Sequence, residues 1–390
     1  MKEKFKDRIK EIDKNVKQLE QEHCFNELDF ATTKSEIAKA IAQVKANKSP
    51  GVDCISNSMI KNSTSSILSC FSKLFNACLN YGIYHEKWAE GYIMPLHKGN
   101  DIYDPGNYRG LTITSAIGKL FNRVLNERLV KFLEKHKIIS DCQIGFTKQA
   151  RTSDHMFIIK TIIDKYCIAK NKKVFACFVD LKKAFDTVIH EGIKLKLLEI
   201  GSGSLFYNII KNMYAVSKSC VKIDDTLSDF PPTKLGVKQG DNLSPNLFKI
   251  FINELPKYLE KSSDPVILND KPIHCLMYAD DIILVSTSAP GLQEKIGILG
   301  KFCDDWCLTV NIQKTKIMVF NNAGRLSNVQ FKLNNTVLEC VNRYKYLGLT
   351  FCSSGSFMYA REELYNKASK AYFKLSKDIK SWVSYKYACI

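Results

Sequence analysis

Residues 273–286 constrain the fold most, because two adjacent carboxylates interrupt an otherwise apolar stretch. Apolar side chains precede Asp280 and Asp281, and isoleucine, leucine and valine follow them. Short apolar runs rich in branched side chains are typical of buried strands. Ala279 and Asp280 suit a tight turn, since aspartate hydrogen-bonds its own backbone there. The segment is therefore predicted to be a β-hairpin with acids at its tip.

A second apolar run, residues 174–179, ends abruptly at Asp180. If the two elements lie side by side in one sheet, Asp180 and Asp280 meet at one edge. Carboxylates that lie together repel unless a cation neutralises them, and hard oxygen ligands suit Mg²⁺. A pair of such ions can activate a 3′-hydroxyl and stabilise a leaving pyrophosphate. An isolated Asp-Asp pair is usually plain turn chemistry, so the prediction of nucleotidyl transfer depends on Asp180.

The composition favours a folded protein with a polyanionic partner. The chain has 390 residues, 45% of them apolar, and a net charge of +17 from 57 basic and 40 acidic residues. This length can bury a sizeable core, and the basic excess suits nucleic acid, although charge alone does not distinguish nucleic-acid binding from a merely soluble surface. The start is too charged for a signal peptide, and no apolar run is long enough to span a bilayer. Export and membrane insertion are not expected.

The 14 cysteines are scattered, and most lie in apolar segments. Free cysteine behaves there as a small buried hydrophobe in a reducing compartment. Cys303 and Cys307 form the closest-spaced pair, but no second pair of cysteine or histidine lies nearby at metal-ligand spacing. A zinc site is therefore not expected.

Two segments after the N-terminal region predict another hairpin. Residues 93–99 have the pattern of a strand that runs into a turn, and residues 104–112 that of the returning strand. Lys98 and Arg109 would then lie near each other, placed to grip a triphosphate, with arginine available for bidentate contact. Surface lysine and arginine are usually solvated, so this pair gains weight only from its neighbours. Residues 1–29 are predicted to form a solvated helix or a linker without chemistry.

A glycine-bracketed loop at residues 235–245 precedes a predicted helix. Ser244 and Pro245 open that helix, since proline is favoured at the first helical position. Glycine permits close approach of a ligand to the backbone, and Gln239 can hydrogen-bond such a ligand. A simple connector between a strand and a helix is the structural alternative.

Apolar periodicity predicts the remaining elements. A helix is expected at residues 115–135, and a loop through residues 151–154 leads to a helix at 156–169. Towards the end, residues 344–351 are predicted to be one further hairpin strand, and residues 361–382 a basic helix.

Together and in this order, the motifs resemble the reverse transcriptase domain of non-LTR, LINE-type retrotransposons. Residues 278–281 match the family's catalytic tetrad, and residues 178–186 match the segment that holds its first metal-binding aspartate. The resemblance implies that Asp180 and Asp280 bind two Mg²⁺ ions, or Mn²⁺ in their place. Asp281 is then the third acid of the same metal site.

The resemblance also implies roles for residues at the other motifs. They are Lys98 and Arg109 for the triphosphate, Phe185 for exclusion of a ribose 2′-hydroxyl, Gln239 and Gly240 at the nascent base pair, Lys314 as proton donor to the leaving pyrophosphate, and Tyr346, Leu347 and Gly348 as the primer grip. The loop at residues 48–53 is similar to an N-terminal extension that contacts template RNA. Gly110 departs from the family pattern, because many members have proline there.

The implied fold is α+β, with the right-hand arrangement of fingers, a ferredoxin-like palm and a partial thumb. The resemblance covers about residues 33–351. The implied domains are a charged N-terminal linker or helix at 1–30, an N-terminal extension and fingers at 31–170, the palm with part of the fingers at 171–343, and the primer grip with a truncated thumb at 344–390.

The implied function is that of an RNA-directed DNA polymerase, which extends a DNA primer on an RNA template with deoxynucleoside triphosphates. An intracellular location is also implied, nuclear with a cytoplasmic RNA-bound phase. Two alternatives stay open at this point. One is a catalytically inactive or decayed RNA-binding remnant, and the other is a group II intron-type reverse transcriptase and maturase. The sequence does not indicate the oligomeric state.

Overall fold

A computed structural model of the chain describes residues 5–22, 27–63, 65–99 and 101–388, with the backbone alone for residues 22 and 378–388. The helices are α1 (Lys6–Glu22), α2 (Lys34–Ala42), α3 (Asn57–Lys61), α4 (Ser66–Tyr81), α5 (Glu86–Ala89), α6 (Ala116–Lys135), α7 (Thr152–Ile163), α8 (His190–Glu199), α9 (Ser204–Ala215), α10 (Ser244–Ile252), α11 (Leu255–Leu259), α12 (Ala289–Asp305) and α13 (Met358–Ala388). A π-helical turn at Asp164–Ile168 continues α7.

The strands form mixed, largely antiparallel sheets and lie partly in consecutive runs without helices between them, so the protein is of the α+β class. They are β1 (Glu90–His97), β2 (Tyr108–Thr114), β3 (Val174–Val179), β4 (Lys218–Ile223), β5 (Thr226–Leu227), β6 (Val266–Leu268), β7 (Lys271–Ile273), β8 (Cys275–Tyr278), β9 (Asp281–Ser286), β10 (Lys316–Phe320), β11 (Phe331–Leu333), β12 (Thr336–Cys340), β13 (Arg343–Tyr346) and β14 (Leu349–Cys352). Among the residues described, no helix is both long and apolar enough to cross a membrane.

The chain folds into two compact units, each built from three separate segments. The first unit comprises Met1–Lys148, Leu181–Tyr258 and Lys301–Thr309, and the second comprises Gln149–Asp180, Leu259–Gly300 and Val310–Ile390. Segments that are distant in the sequence therefore share a core, which periodicity along the chain does not reveal.

The first unit contains a sheet with the strand order β2-β1-β4-β5. Strands β1 and β2 are antiparallel, with Leu96 opposite Arg109, and the Lys98 amide donates to the Asn107 carbonyl at 2.8 Å. The predicted hairpin is confirmed. Helix α10 begins at Ser244 with proline in its first turn, which is also as predicted.

Helix α1 corrects the prediction for the N-terminal segment. Ile12 and Val16 are 1% and 2% exposed, and the helix packs against α8 within the first unit. Two apolar residues one turn apart are enough to form a buried stripe on a highly charged helix. The predicted helix is present, but one apolar stripe of it packs against the core of the first unit, so it is neither fully solvated nor a linker.

The second unit is organised around a six-stranded sheet in the order β11-β12-β10-β3-β9-β8. Strands β10, β3, β9 and β8 pair antiparallel. All six residues of β3 are buried, which explains its continuous apolar sequence. The β8–β9 hairpin predicted around Asp280 is confirmed. One face of the sheet packs in a cluster that includes Ile163, Phe178, Met318 and Phe351.

Two elements of the second unit differ from the prediction. Helix α7 already begins at Thr152, because the Asp154 carboxylate accepts a hydrogen bond from the Arg151 amide at 2.8 Å and caps the helix. The segment predicted as one strand consists of two, β13 and β14, which pair antiparallel. Leu347 and Gly348 between them have φ values of 45° and 87°, a left-handed pair typical of a two-residue hairpin turn.

Candidate active site

Three aspartates share one end of the central sheet in the second unit. Asp180 follows β3 directly, Asp281 begins β9, and Asp280 lies in the turn before it. Val179 pairs with Ile282 in antiparallel register. The next residues outward, Asp180 and Asp281, therefore lie on neighbouring strands whose backbones run about 5 Å apart. The predicted meeting of the acids is confirmed at the level of the backbone.

The turn that carries Asp280 is tight and conformationally strained. Tyr278 pairs with Asp281, so Ala279 and Asp280 alone connect the two strands. Ala279 is buried and has a φ of 56°, in the left-handed region that disfavours residues with a Cβ. Such strain persists only where the surrounding packing determines the backbone. The turn consequently holds both aspartates in a defined place.

The acids influence each other electrostatically. Desolvation, together with the negative charges of Asp280 and Asp180, raises the pKa of Asp281 to about 6. The Asp281 side chain keeps an exposed surface, so the desolvation comes from protein packed around the carboxylate and not from complete burial. Three like charges at one sheet end form a hard oxygen donor set, which suits Mg²⁺.

In the ranges that the structure describes, no three His, Cys, Asp or Glu side chains converge into a preformed set of metal ligands. The aspartates therefore provide oxygen donors of the kind that Mg²⁺ prefers, but their carboxylates do not converge on one point.

The cysteine pair does not offer a metal site. Cys303 and Cys307 are both buried, and desolvation raises the pKa of Cys303 to about 12. A buried neutral thiol is a poor metal ligand, because the thiolate is the form that binds.

A turn from a distant part of the chain holds the backbone of Asp180. The Asp180 amide donates to the Thr315 hydroxyl at 3.2 Å, and the Asn311 amide donates to the Asp180 carbonyl at 2.8 Å. Thr315 is 1% exposed, whereas Lys314 beside it is exposed. The turn thus combines a buried support for Asp180 with an accessible lysine. Sequence reasoning identified Lys314 and missed Thr315.

The predicted primer grip is anchored in the same unit by a histidine. Tyr346 is buried, and its hydroxyl is hydrogen-bonded to His155 Nδ1 at 2.9 Å. The His155 ring also lies edge-on to Tyr278, with centroids 6.4 Å apart. Desolvation lowers the pKa of His155 to about 4, so the imidazole is neutral at pH 7. Leu347 and Gly348 form the turn that follows Tyr346.

Sequence reasoning did not assign a role to His155. It lies in α7, and 191 residues separate it from Tyr346. A single histidine in an apolar helix carries no signal that would name a partner so far along the chain.

The predicted nucleotide-binding residues lie in the first unit, where a polar network joins two of them. Arg109 Nε donates to Gln239 Oε1 at 2.9 Å, and Gln239 Nε2 donates to Asp186 Oδ1 at 2.9 Å. The Gln239 carbonyl also accepts from the Thr112 amide at 2.9 Å. Both ends of the Gln239 amide are engaged, which favours one orientation of the side chain. Asp186 is the last residue of the motif at residues 178–186, and the sequence alone predicts no role for it.

The remaining predicted residues of the first unit are accessible to different extents. Lys98 and Gly240 are exposed, and Phe185 is half-buried. A Cβ on Gly240, whose φ is 109°, would lie 3.1 Å from the Thr112 carbonyl oxygen. The close approach explains why glycine occupies this position. The structure thus groups Arg109 with Gln239, and it groups the three acids separately with Lys314 and the primer-grip hairpin in the second unit.

The fold is that of an α+β protein with three aspartates at one end of a mixed six-stranded sheet. A family profile described as reverse transcriptase (RNA-dependent DNA polymerase) matches residues 96–351, which is more than half of the chain. The chain therefore belongs to the reverse transcriptase family. The resemblance that the motifs indicated is confirmed.

Curated relatives place the chain among retrotransposon proteins. It is 29% identical to the probable RNA-directed DNA polymerase from transposon BS of Drosophila melanogaster, over 81% of this chain and 35% of that protein. It is 27% identical to the RNA-directed DNA polymerase from mobile element jockey of the same species, over 82% and 35%. A Pol polyprotein from the type-1 retrotransposable element R2 of Nasonia vitripennis is 24% identical over 76% and 29%. The chain spans about a third of the length of these relatives.

Proposed function

We propose that this chain catalyses RNA-directed DNA synthesis, in which a DNA primer is extended on an RNA template by nucleotidyl transfer from deoxynucleoside triphosphates. The observation that carries the proposal is the meeting of Asp180, Asp280 and Asp281 at one sheet end, with the pKa of Asp281 raised to about 6. The similarity to the RNA-directed DNA polymerases of transposon BS and mobile element jockey supports it. The net charge of +17 suits a nucleic-acid duplex held by phosphate contacts.

Asp180, Asp280 and Asp281 would hold two divalent ions, Mg²⁺ or Mn²⁺. When bound, such ions supply activation of the primer 3′-hydroxyl and neutralise charge on the leaving pyrophosphate. The carboxylate oxygens of the three aspartates are the donors that Mg²⁺ prefers. The repulsion among the three carboxylates favours a cation at this sheet end.

Other residues, some in each unit, are assigned to substrate binding and to proton transfer. Lys314 is exposed on the turn that supports Asp180, and we assign its Nζ the proton that passes to the pyrophosphate. Arg109 and Lys98 bind the triphosphate oxygens, for which the arginine fork is well shaped. Gln239 contacts the nascent base pair with Gly240 beside it.

Two further roles concern the sugar and the primer. Phe185 excludes a ribose 2′-hydroxyl and so selects deoxynucleotides. Tyr346, Leu347 and Gly348 hold the primer strand, with Tyr346 fixed through His155, Leu347 packed against the core and Gly348 exposed towards the primer. The hairpin geometry supports this role, because the buried Tyr346 and the exposed Gly348 lie within one tight turn.

We assign the palm to the second unit's sheet and the fingers to the β1–β2 hairpin with the surrounding helices. Within that sheet the strands lie in the order β10-β3-β9-β8. If these four strands are numbered 1 to 4 along the chain, the order is 4-1-3-2. That order is the one of a ferredoxin-like βαββαβ palm. The basic helix α13 is assigned to a thumb. An intracellular, nuclear location is part of the same proposal, since target DNA lies there.

Primer extension tests the proposal directly. The wild-type chain is expected to extend a labelled DNA primer annealed to RNA when Mg²⁺ or Mn²⁺ is present. Asp280→Ala should abolish extension and leave RNA binding nearly unchanged, because the carboxylate serves chemistry and not template contact. Glu260→Ala, which removes an exposed carboxylate of the same unit, is the matched control and should extend like the wild type. A wild-type chain that binds RNA but extends nothing would instead be an RNA-binding remnant.

A further inference from the structure

An aromatic cluster surrounds Phe185 in the first unit. The Phe185 ring stacks on Phe248, with centroids 4.5 Å apart and planes 16° apart. Phe146 meets Phe185 nearly at a right angle, with centroids 6.4 Å apart. Phe248 is fully buried, whereas Phe146 is 51% exposed. Phe185 therefore has a fixed ring on the core side and a second ring on the side of the solvent.

Phe146 has an unusual backbone for so large a side chain. Its φ is 55°, in the left-handed region where a residue with a bulky side chain is an outlier. Hydrogen bonds hold the residues on both sides of Phe146. The Gly145 amide donates to Gln143 Oε1 at 3.0 Å, and Lys249 Nζ donates to the Thr147 hydroxyl at 3.0 Å.

Neither local preference nor burial accounts for phenylalanine at this position. Glycine or asparagine would adopt the backbone with less strain, and a ring that is half exposed gains less from the hydrophobic effect than a buried one. Strained residues that the surroundings hold in place concentrate at functional sites. Among the described residues, the ring of Phe146 makes an aromatic contact with Phe185, and this contact offers a functional reason for the side chain.

We propose that Phe146 is a second specificity-determining residue, which with Phe185 forms the aromatic wall that rejects the ribose 2′-hydroxyl of a ribonucleoside triphosphate. This inference rests on the proposed polymerase function and on the gate role of Phe185. Phe248 blocks rotation of the Phe185 ring towards the core, and Phe146 blocks its rotation towards solvent. A 2′-hydroxyl placed against such a wall loses water without gaining a hydrogen bond.

The experiment compares sugar selection among variants of the full chain. The ratio of kcat/KM for a deoxynucleotide to that for the matching ribonucleotide is measured in single-nucleotide primer extension. Phe146→Ala should lower this ratio about tenfold, and Phe185→Ala should lower it at least as much. The double variant should lower it less than the product of the single effects, because both rings form one wall. Phe146→Tyr keeps the ring and should retain most of the selectivity.

Two controls separate specificity from folding. Phe146→Gly removes the ring but relieves the left-handed backbone, so its melting temperature should equal or exceed that of the wild type while selectivity falls. Tyr81→Ala removes another exposed aromatic ring of the same unit and should change neither quantity. If Phe146 had a merely structural role, its substitution would instead lower the melting temperature and leave the ratio of kcat/KM for deoxynucleotide and ribonucleotide unchanged.

The outcomes for the two proposals are distinct. If the wild type extends primers with deoxynucleotides and Phe146→Ala and Phe146→Gly both keep its sugar ratio, Phe146 has no part in selection, and the polymerase function stands. Multiplicative effects of Phe146→Ala and Phe185→Ala would also overturn the shared wall. If the wild type neither extends a primer nor forms a nucleotide-dependent complex on a chain-terminated primer, the polymerase function fails and this inference fails with it. Preferential deoxynucleotide complexes that Phe146→Ala abolishes would support the wall even without turnover.

Discussion

The acid cluster of the second unit and the polar network of the first unit differ in their electrostatics: the first gathers like charges, and the second links opposite charges through an amide. Asp180, Asp280 and Asp281 place like charges at one end of the sheet, and the negative charges of the first two help to raise the pKa of Asp281 to about 6. Arg109 and Asp186 carry opposite charges, and the Gln239 amide lies between them with a 2.9 Å hydrogen bond to each. The first arrangement would be stabilised by a cation bound as we propose, whereas the charges of the second are already linked within the protein.

This difference indicates how each region would serve the proposed reaction. A cluster of like charges binds divalent ions because the folded chain concentrates negative charge there. A paired network positions a side chain, because each member restricts its neighbour. Removing one member should therefore abolish chemistry in the acid cluster and alter substrate binding in the network.

The largest effect is expected for Asp180→Asn, which keeps the shape of the side chain but removes its charge. Primer extension should fall about a thousandfold, since metal-ion catalysis contributes several kcal/mol. The pKa of Asp281 should also fall, because one of the negative charges that raises it is gone. Extension kinetics and NMR titration measure the two effects. Unchanged titration of Asp281 would show that the acids do not form one electrostatic cluster.

A smaller effect on a different kinetic parameter is expected for Asp186→Ala. The Gln239 amide then loses its acceptor, and a hydrogen bond to a charged group contributes about 1.5–3 kcal/mol. We expect the KM for deoxynucleotides to rise about tenfold to a hundredfold, with a smaller change in kcat. Steady-state kinetics tests this, with Asp225→Ala, an exposed carboxylate of the same unit, as control. A fall in kcat at constant KM would contradict the positioning role.

The buried His155 predicts a dependence of stability on pH. Its pKa is about 4 in the folded chain against an ordinary value of 6.5, so the unfolded chain binds more protons below pH 6.5. The contribution of His155 to the free energy of unfolding is therefore fully present above pH 6.5 and is lost as the pH falls towards 4. The loss from His155 between pH 7.5 and pH 5 should be about 2 kcal/mol.

Denaturant unfolding at both pH values measures this contribution. The variant His155→Gln, which removes the titration, should show a shallower loss of stability towards pH 5 than the wild type. Equal slopes for the two proteins would mean that His155 is not the neutral anchor of Tyr346.

The smallest effect is expected for Thr315→Val, which conserves shape but removes the hydroxyl that accepts from the Asp180 amide. The loss of this hydrogen bond should cost about 1 kcal/mol of stability and lower primer extension about fivefold. Thr315→Ser retains the hydroxyl and serves as the matched control. If the valine variant extends primers like the serine variant, Thr315 does not position Asp180.

Much of the local structure could be predicted from the sequence. The apolar run at Val174–Val179, the hairpin around Asp280 and the proline-started helix at Ser244 agree with the structure. These elements depend on periodicity, turn residues and first-turn chemistry, which all act within a few residues. The same local rules failed where a short feature was read as part of a longer one, as at Leu347 and Gly348.

The sequence by itself determined the acids, their strands and the family. Only the tertiary structure decided which side chains support them. Thr315 lies 135 residues from Asp180, and His155 lies 191 residues from Tyr346. The physical reason is that a hydrogen-bond partner follows from sheet register and helix packing between distant segments, and neither leaves a periodic trace along the chain.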